Sequence, residues 1–513
     1  MAMRITSKMM QNTSLRNLNI NKALQEKLMN QSSTGKKITR PSDDPVIAIR
    51  SLKLNSSLDK IDQYYEKNIL DAQAWLEATE TALKNMNKIL TDVKTECVSG
   101  TNSYLTAEDR NTILKNLTAL KTQLYSEGNA DNAGRTVFTG FRTNSQLTFT
   151  EDENETVYQI SQKFTFRDIE QYAYMSGSIE VPATPDEVKD LAELNRVSAD
   201  DYITKDNYDR IRLAYDRIDD GDTITLTATD KDGNPIALPT PIVYASEEEW
   251  AKNGINDHKS IGDNDIIIIQ NTGDVIFGSE LGKELKSDRA SIEIDYQKTG
   301  FDKGELRPEY YYNCTDISDA KNPIEYTKFD ANGNKIYEDI NYTVSLNQTL
   351  TINLQADEIF DMNIQQDVVE LMDSVQAAIN AHDKVDRLTE MKNEAQYADC
   401  KEQIEKWLAA AQKEADYADH QLTELYSAGI GKFDKYIEKL NIAYTEVGAR
   451  GDQLEMTETR ISNLQLTQEE LKSCNEDKEL SDIIIEYTAA YNAYQASLLS
   501  AGKIEKQTLL DYI

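Results

Sequence analysis

The sequence is poor in the residues that carry out chemistry. Its 513 positions include only three histidines, four cysteines and three tryptophans. His258, His382 and His420 are far apart and none stands in HExxH, which excludes a zinc peptidase of that type. Cys97, Cys314, Cys400 and Cys474 never approach a CxxC spacing, so there is no zinc ribbon or dithiol motif. GxSxG, GxGxxG and Walker A sequences are also missing. No catalytic residue, cofactor or metal is expected. No run approaches the ~18 apolar residues of a membrane span. The opening MAMRITSKMMQNTSL has no apolar h-region and no small-residue cleavage site. The expectation is a cytoplasmic protein, or one that leaves the cell by a route needing no such peptide. Positive charge is short too: 55 Lys and Arg face 89 Asp and Glu, a net charge of −34. That argues against nucleic acid and against an anionic membrane as partners.

Turn residues are few, so their clustering is informative. TGKKITRPSDDPVIAI, Thr34 to Ile49, holds two of the nine prolines between two helical segments. Pro41 disfavours helix at Arg40, Asp43 lies in the turn, Asp44 can cap a new helix, and Pro45 fits its first position. A first helix over about 12–33 therefore ends, and a second runs from Pro45 to about Val98, with Ser99-Gly100 as its stop. At 1.5 Å per residue this rod is roughly 80 Å long. Two apolar seams run along it. One passes through Leu58, Ile61, Tyr65, Ala72, Trp75, Thr79, Ala82, Met86, Ile89 and Val93, with Asn68 as its polar exception. The other, Ile69, Leu76, Leu83, Leu90 and Cys97, repeats at sevens. Two seams are wider than a two-stranded coiled coil needs, so the helix should meet two neighbours. Thr106 and Asp109 form a capping-box pair for a third helix ending at Gly128.

From about Phe138 to Ile359 the pattern becomes β-like, as in DTITLTA, DNDIIIIQNTGDVIFG, ASIEIDY and NYTVSLNQTLTINL. Short helices are expected around 185–218. Asp232-Gly233 and Asn332-Gly333 are hairpin signals. DKDGNP and DANGNK look like calcium loops, but their glycine is fourth rather than sixth and no glutamate is twelfth. The EYYYN run, Glu309 to Asn313, suits a strand packed on a neighbour better than a glycan site. Helix returns near Met362, continues in a partner over about Ala398–Leu425, and is punctuated by Gly429 and Gly431. A long helix then carries Phe433, Leu440, Val447, Leu454 and Ile461 at sevens, with Leu464 and Leu471 beside them. A break at Cys474–Asp477 precedes a last helix.

The fold class is α+β: a long antiparallel helical-bundle rod built from the N- and C-terminal segments, with a mainly β middle domain. The expected division is 1–44 and 475–513 for a terminal helical domain, 45–150 and 346–474 for the rod, and 151–345 for the outer part. In an antiparallel rod Cys97 and Cys474 sit at opposite ends and cannot bridge. Each terminal helix lies beyond a break and is marginal alone, so residues before about Ile38 and after about Leu480 should order only on assembly.

This layout, with STGKKITRPSDDPVIAI, MRITSKMM, NAGRTVFTGFRTNSQLTF and the ending YQASLLSAGKIEKQTLLDYI, resembles the flagellin superfamily, and within it the hook–filament junction members. The resemblance covers roughly residues 3–150 and 340–513. It implies a structural, non-enzymatic component of the bacterial flagellum, exported by the flagellar type III exporter with a chaperone. The implied partners are hook-associated protein 1, flagellin and further copies of itself in a ring. The assembly surface is expected at Ile5, Leu15, Leu18, Leu24, Leu28, Tyr487, Tyr491, Tyr494, Leu498, Leu499, Ile504, Leu509 and Leu510. Arg40, Pro41, Asp43, Asp44 and Pro45 form the domain-junction motif. The alternatives are a flagellin itself, a non-flagellar coiled-coil adaptor, or an enzyme borne on the middle domain.

Overall fold

The computed structural model describes residues 7–102, 105–190, 203–219, 223–253 and 259–506. Among the described residues the long helices are α1 (Ser7–Thr34), α2 (Pro45–Gln63), α3 (Leu70–Gly100), α4 (Ala107–Gly128), α5 (Met362–Asn393), α6 (Lys401–Glu476) and α7 (Leu480–Lys506). They belong to two compact units. One comprises residues 1–73, 342–350 and 452–513, the other 74–341 and 351–451.

In the first unit, α2 continues through a π-helical turn, Tyr64–Ile69, into the start of α3. A π turn inserts an extra residue and rotates the buried face. It also places Asn68, the polar exception of the seam, where its Nδ2 donates to the carbonyl of Thr343 at 2.7 Å. The C-terminal part of α6 runs antiparallel to this helix: Asn475 Nδ2 bonds the Ile47 carbonyl, Gln465 bonds Asp62, and Gln73 bonds Glu458.

The second unit repeats the antiparallel pairing with Tyr444–Glu80, Asn87–Asn441 and Lys94–Asp434. Both rows of sevens are buried along their whole length, from Ile69 to Cys97 and from Phe433 to Ile461. Leu464 and Leu471, expected beside the second row, are instead exposed. Thr106 and Asp109 close the expected capping box at the start of α4, which packs on α5. Gly429 and Gly431 do not interrupt the chain; α6 is one helix of 76 residues. A helical glycine costs only ~1 kcal/mol, and at Gly429 an added Cβ would meet Cys97 Sγ at an ordinary contact distance of 3.5 Å, so neither glycine is imposed by packing.

The middle of the chain, also in the second unit, forms two sheets. Its strands are β1 (Glu153–Thr165), β2 (Glu170–Ser176), β3 (Thr204–Arg212), β4 (Thr225–Thr229), β5 (Pro235–Ile236), β6 (Ile242–Tyr244), β7 (Ile266–Ile269), β8 (Asp274–Phe277), β9 (Ser291–Phe301), β10 (Asn313–Asp316) and β11 (Ile324–Tyr326). One sheet has the order β11-β10-β1-β9-β4-β5, the other β2-β3-β8-β7-β6. All pairs are antiparallel except β6 with β7. The helices expected around 185–218 reduce, among the described residues, to Pro185–Asp190, while 204–212 is strand. Its alternation was hidden because two inward positions are Arg210 and Arg212. The EYYYN run is strand only at its last residue, Asn313, where β10 begins. Before it, a 3₁₀ turn over Pro308–Tyr310 buries Tyr310 and Tyr311. At both turn signals an aspartate, Asp230 or Asp330, accepts backbone N–H bonds from residues two and four further on, with glycine at positive φ.

The middle is tied to the helices chiefly through one apolar core and one cluster of ion pairs, with further bonds such as Lys205 to Glu424 and Gln421 to the Tyr172 hydroxyl. Ile179, Val188 and Ile203 share one core with Leu388, Met391, Tyr397, Ile404 and Trp407. Arg210 on β3 pairs with Glu170, Asp274 and Glu370, and its guanidinium lies 3.4 Å from the centre of the Tyr172 ring. Arg212 pairs with Asp367 and Glu370 on α5, and Asp367 also receives Lys432 and Tyr436 from α6. Burial pushes the Asp367 carboxyl up, but the Arg212 and Lys432 charges outweigh this and hold it below the usual carboxylate range.

Candidate functional site

The junction motif folds as its residue types require. Asp44 accepts from the N–H groups of Val46 and Ile47, and Pro45 opens α2. Asp43 accepts from the N–H groups of Arg40 and Thr39, and these bonds hold its carboxyl below the ordinary range. Arg40 and Pro41 form the exposed turn between α1 and α2.

The two breaks in the chain clasp each other. Lys36 bridges to Asp477, the Lys37 N–H donates to the Glu476 carbonyl at 2.6 Å, and the Lys478 N–H donates to the Gly35 carbonyl at 2.9 Å. The Lys36 ammonium reaches Glu476 at 2.9 Å and Asp477 at 2.8 Å. Ser51 also bonds Glu476. Gly35 adopts φ +70°, which lets the chain leave α1 toward its partner. Each break was visible in the sequence, but their mutual pairing was not.

Beyond the clasp, α1 and α7 lie antiparallel. Asn21 bonds Ser497 and Gln25 bonds Tyr487, while Leu28, Ile483 and Ala490 are buried. Two helices alone cannot bury apolar residues placed all round them. Of the expected assembly residues, Leu28 is buried in the pair, and Leu18, Tyr487 and Tyr494 are half-buried. Leu15, Leu24, Tyr491, Leu498 and Leu499 are exposed, Leu499 by 69%. Ile504 lies in α7, and Ile5, Leu509 and Leu510 fall outside the described residues. The same pair also exposes Met9, Ile20, Met29, Ile484 and Ile485, which the expected assembly surface did not include. Their signal was an apolar fraction too high for a two-helix seam.

Candidates for chemistry are thin. Among the described residues no group of His, Cys, Asp and Glu could hold a metal. His382 bonds Asp419, and His258 lies outside the described residues. All four cysteines are free thiols, and burial pushes Cys97 up to about 12.

Residues 5–143 match the family described as the bacterial flagellin N-terminal helical region. The flagellin-superfamily resemblance read from the junction motif is thereby borne out. Two relatives carry the name flagellar hook-associated protein 3. The one from Escherichia coli K12 is 26% identical over 200 residues, 39% of this chain and 61% of that protein. The one from Salmonella typhimurium is 29% identical over 142 residues, 28% of this chain and 44% of that protein. The matched part thus spans less than two thirds of either relative. The solved flagellar hook-associated protein 3 from Legionella pneumophila is 12% identical, with a TM-score of 0.29, covering 82% of this chain and 96% of its own.

Proposed function

We propose that this chain is a structural component of the bacterial flagellum that joins the hook-associated layer to the flagellin filament. The observation that carries the proposal is the apolar surface left open on α1 and α7. A surface of that kind marks an interaction site rather than a solvated face. The shared name of the two relatives supplies the place: hook-associated protein 3. On this reading the chain is not an enzyme and is exported through the flagellar type III route with a chaperone. Its copies form a ring, with hook-associated protein 1 on one side and flagellin on the other. Nucleic acid and membrane are not partners, in keeping with the net charge of −34.

Residues 1–44 and 475–513 form the assembly domain, 45–150 with 346–474 the helical domain beside it, and 151–345 the outer part. The ends order fully only when assembled. Amide exchange on a verified monomer is expected to show residues 7–34 and 480–506 less protected than 70–98. Strong protection of the ends in that monomer would contradict coupled ordering. The flagellin reading is favoured by the matched N-terminal family and by a relative named flagellin from Clostridium tyrobutyricum, 30% identical over 109 residues, 29% of that protein. Deletion decides between them: cells without this chain should keep their hooks and secrete flagellin but attach no filament, whereas loss of the secreted flagellin itself would favour the flagellin reading.

A further inference from the structure

In a chain of net charge −34, α1 is basic. It carries Lys8, Arg16, Lys22 and Lys27 against a single acid, Glu26, and all four cations are exposed. By helical geometry the four fall within an arc of about 140°, roughly opposite Asn21, Gln25 and Leu28, which face α7. Leu15 and Ile20, each more than half exposed, stand beside them. Among the described residues none of the four cations makes an ion pair within the chain. The C-terminal part of α6, in the same compact unit, carries the opposite charge. Asp452, Glu455, Glu469 and Glu470 are exposed there, and among the described residues they too lack an ion-pair partner. With Met456 and Leu466, both more than half exposed, they occupy an arc of about 140°, opposite the buried Leu454, Thr457 and Ile461. The two ridges match in length: at 1.5 Å per residue, Lys8 to Lys27 spans about 28 Å and Asp452 to Glu470 about 27 Å.

We propose that the basic ridge of α1 docks on the acidic ridge of α6 in a second copy of the chain. This rests on the reading that copies assemble with one another, and it names the surfaces that meet. The two helices run antiparallel. Lys22 and Lys27 then face Asp452 and Glu455, Lys8 faces Glu469 and Glu470, and Leu15 and Ile20 fall between Met456 and Leu466. In this register Arg16 lies level with Asn463. A parallel arrangement with the ridges in line would instead bring Arg16 level with Arg460, a like charge already bonded to Gln348. Single exposed ion pairs contribute little to affinity. The apolar side chains therefore hold the helices together, and the charges select partner and direction. The arrangement also gives α1 its reason to be basic. Two acidic chains repel at a distance, and a local positive ridge gives them one favourable line of approach.

Charge exchange tests the contact. Cells lacking the chain are complemented with Lys8→Glu/Lys27→Glu, with Asp452→Lys/Glu470→Lys, or with all four changes together. These side chains are exposed, so each variant should keep the parent's melting temperature. Attached filaments per cell should fall at least ~10-fold in either double variant, because like charges then face one another. They should recover in the fourfold variant, where both pairs are remade with inverted sign. Filaments at the parent level in either double variant, or no recovery in the fourfold one, would overturn the proposal. A cross-link in chains of otherwise native charge gives a second measurement. Cys97, Cys314 and Cys400 are buried, so in a Cys474→Ser background Lys27→Cys and Asp452→Cys supply the accessible thiols. Isolated flagella carrying both, treated with a short bis-thiol reagent, should yield chains linked to one another on a denaturing gel. Absence of linked chains, or linkage through either new cysteine alone, would overturn the proposal. Position along the flagellum is read separately by label. A chain found where hook meets filament but not linked loses this contact and keeps its place, whereas a chain absent from that boundary loses the reading itself.

Discussion

Gly100 lies against the face of the buried Tyr426 ring, where a Cβ would come within 2.3 Å of the ring carbons. Gly100→Ala should therefore overpack the site and cost ~1–3 kcal/mol in a denaturant melt. Gly431, exposed in the middle of α6 with nothing within 4 Å, should respond the other way. Gly431→Ala is expected to stabilise by ~0.4–1 kcal/mol. Asp367 is the residue on which pH should act most clearly. Its carboxyl is held low by Arg212 and Lys432, so its contribution is complete above the ordinary carboxylate range and is lost as pH falls through its folded value. Asp367→Asn should cost ~3–5 kcal/mol near neutrality, because it leaves Arg212 short of a buried partner. It should also flatten the acid limb of stability against pH. An unchanged acid limb would show that the Asp367 pairs contribute little.

Helix boundaries were legible wherever a side chain caps the backbone: Asp44, Pro45, Thr106 and Asp109 each act as their chemistry dictates. The rows of sevens were legible because burial repeats with the helical period. The strand Thr204–Arg212 was not, since its inward arginines are buried by partners distant in sequence. The unbroken α6 was hidden as well, because glycine favours a helix end yet costs only ~1 kcal/mol inside one. Of the candidate site, the motif was visible but the clasp was not, as nothing local links Lys36 to Glu476 and Asp477. Their carboxyls lie below the ordinary range in the folded chain, Asp477 chiefly through its bond to Lys36 and Glu476 through Ser51 and Lys36 despite burial. The clasp should accordingly loosen as pH falls through those values. At the ends, the double change Leu498→Ser and Leu499→Ser removes side chains already exposed. Thermal stability of the isolated chain should move by no more than ~0.5 kcal/mol, whereas filament attachment should be lost. Cells that keep their filaments with this variant would count against the assembly role of α7.

A modular division, with the middle as a dispensable ornament on two paired ends, does not fit the whole molecule. The seams of α3 and α6 never call on the middle, but the α5–α6 hairpin does, through Ile179, Val188 and Ile203. Excising residues 160–345 would bare Trp407 and Ile404 and strip Asp367 and Glu370 of both arginines. Such a chain should melt well below the parent or fail to accumulate, whatever its effect on swimming. An excised chain with the parent's melting temperature would show that these contacts are incidental. On the proposed function this chain sits between hook and filament. The exposed turn at Asp232-Gly233 has open space around the glycine, so an epitope can be inserted there and located on isolated flagella by immunogold electron microscopy. A single narrow band of label is expected where hook meets filament; label distributed along the filament, or flagella bearing none, would rule out that position.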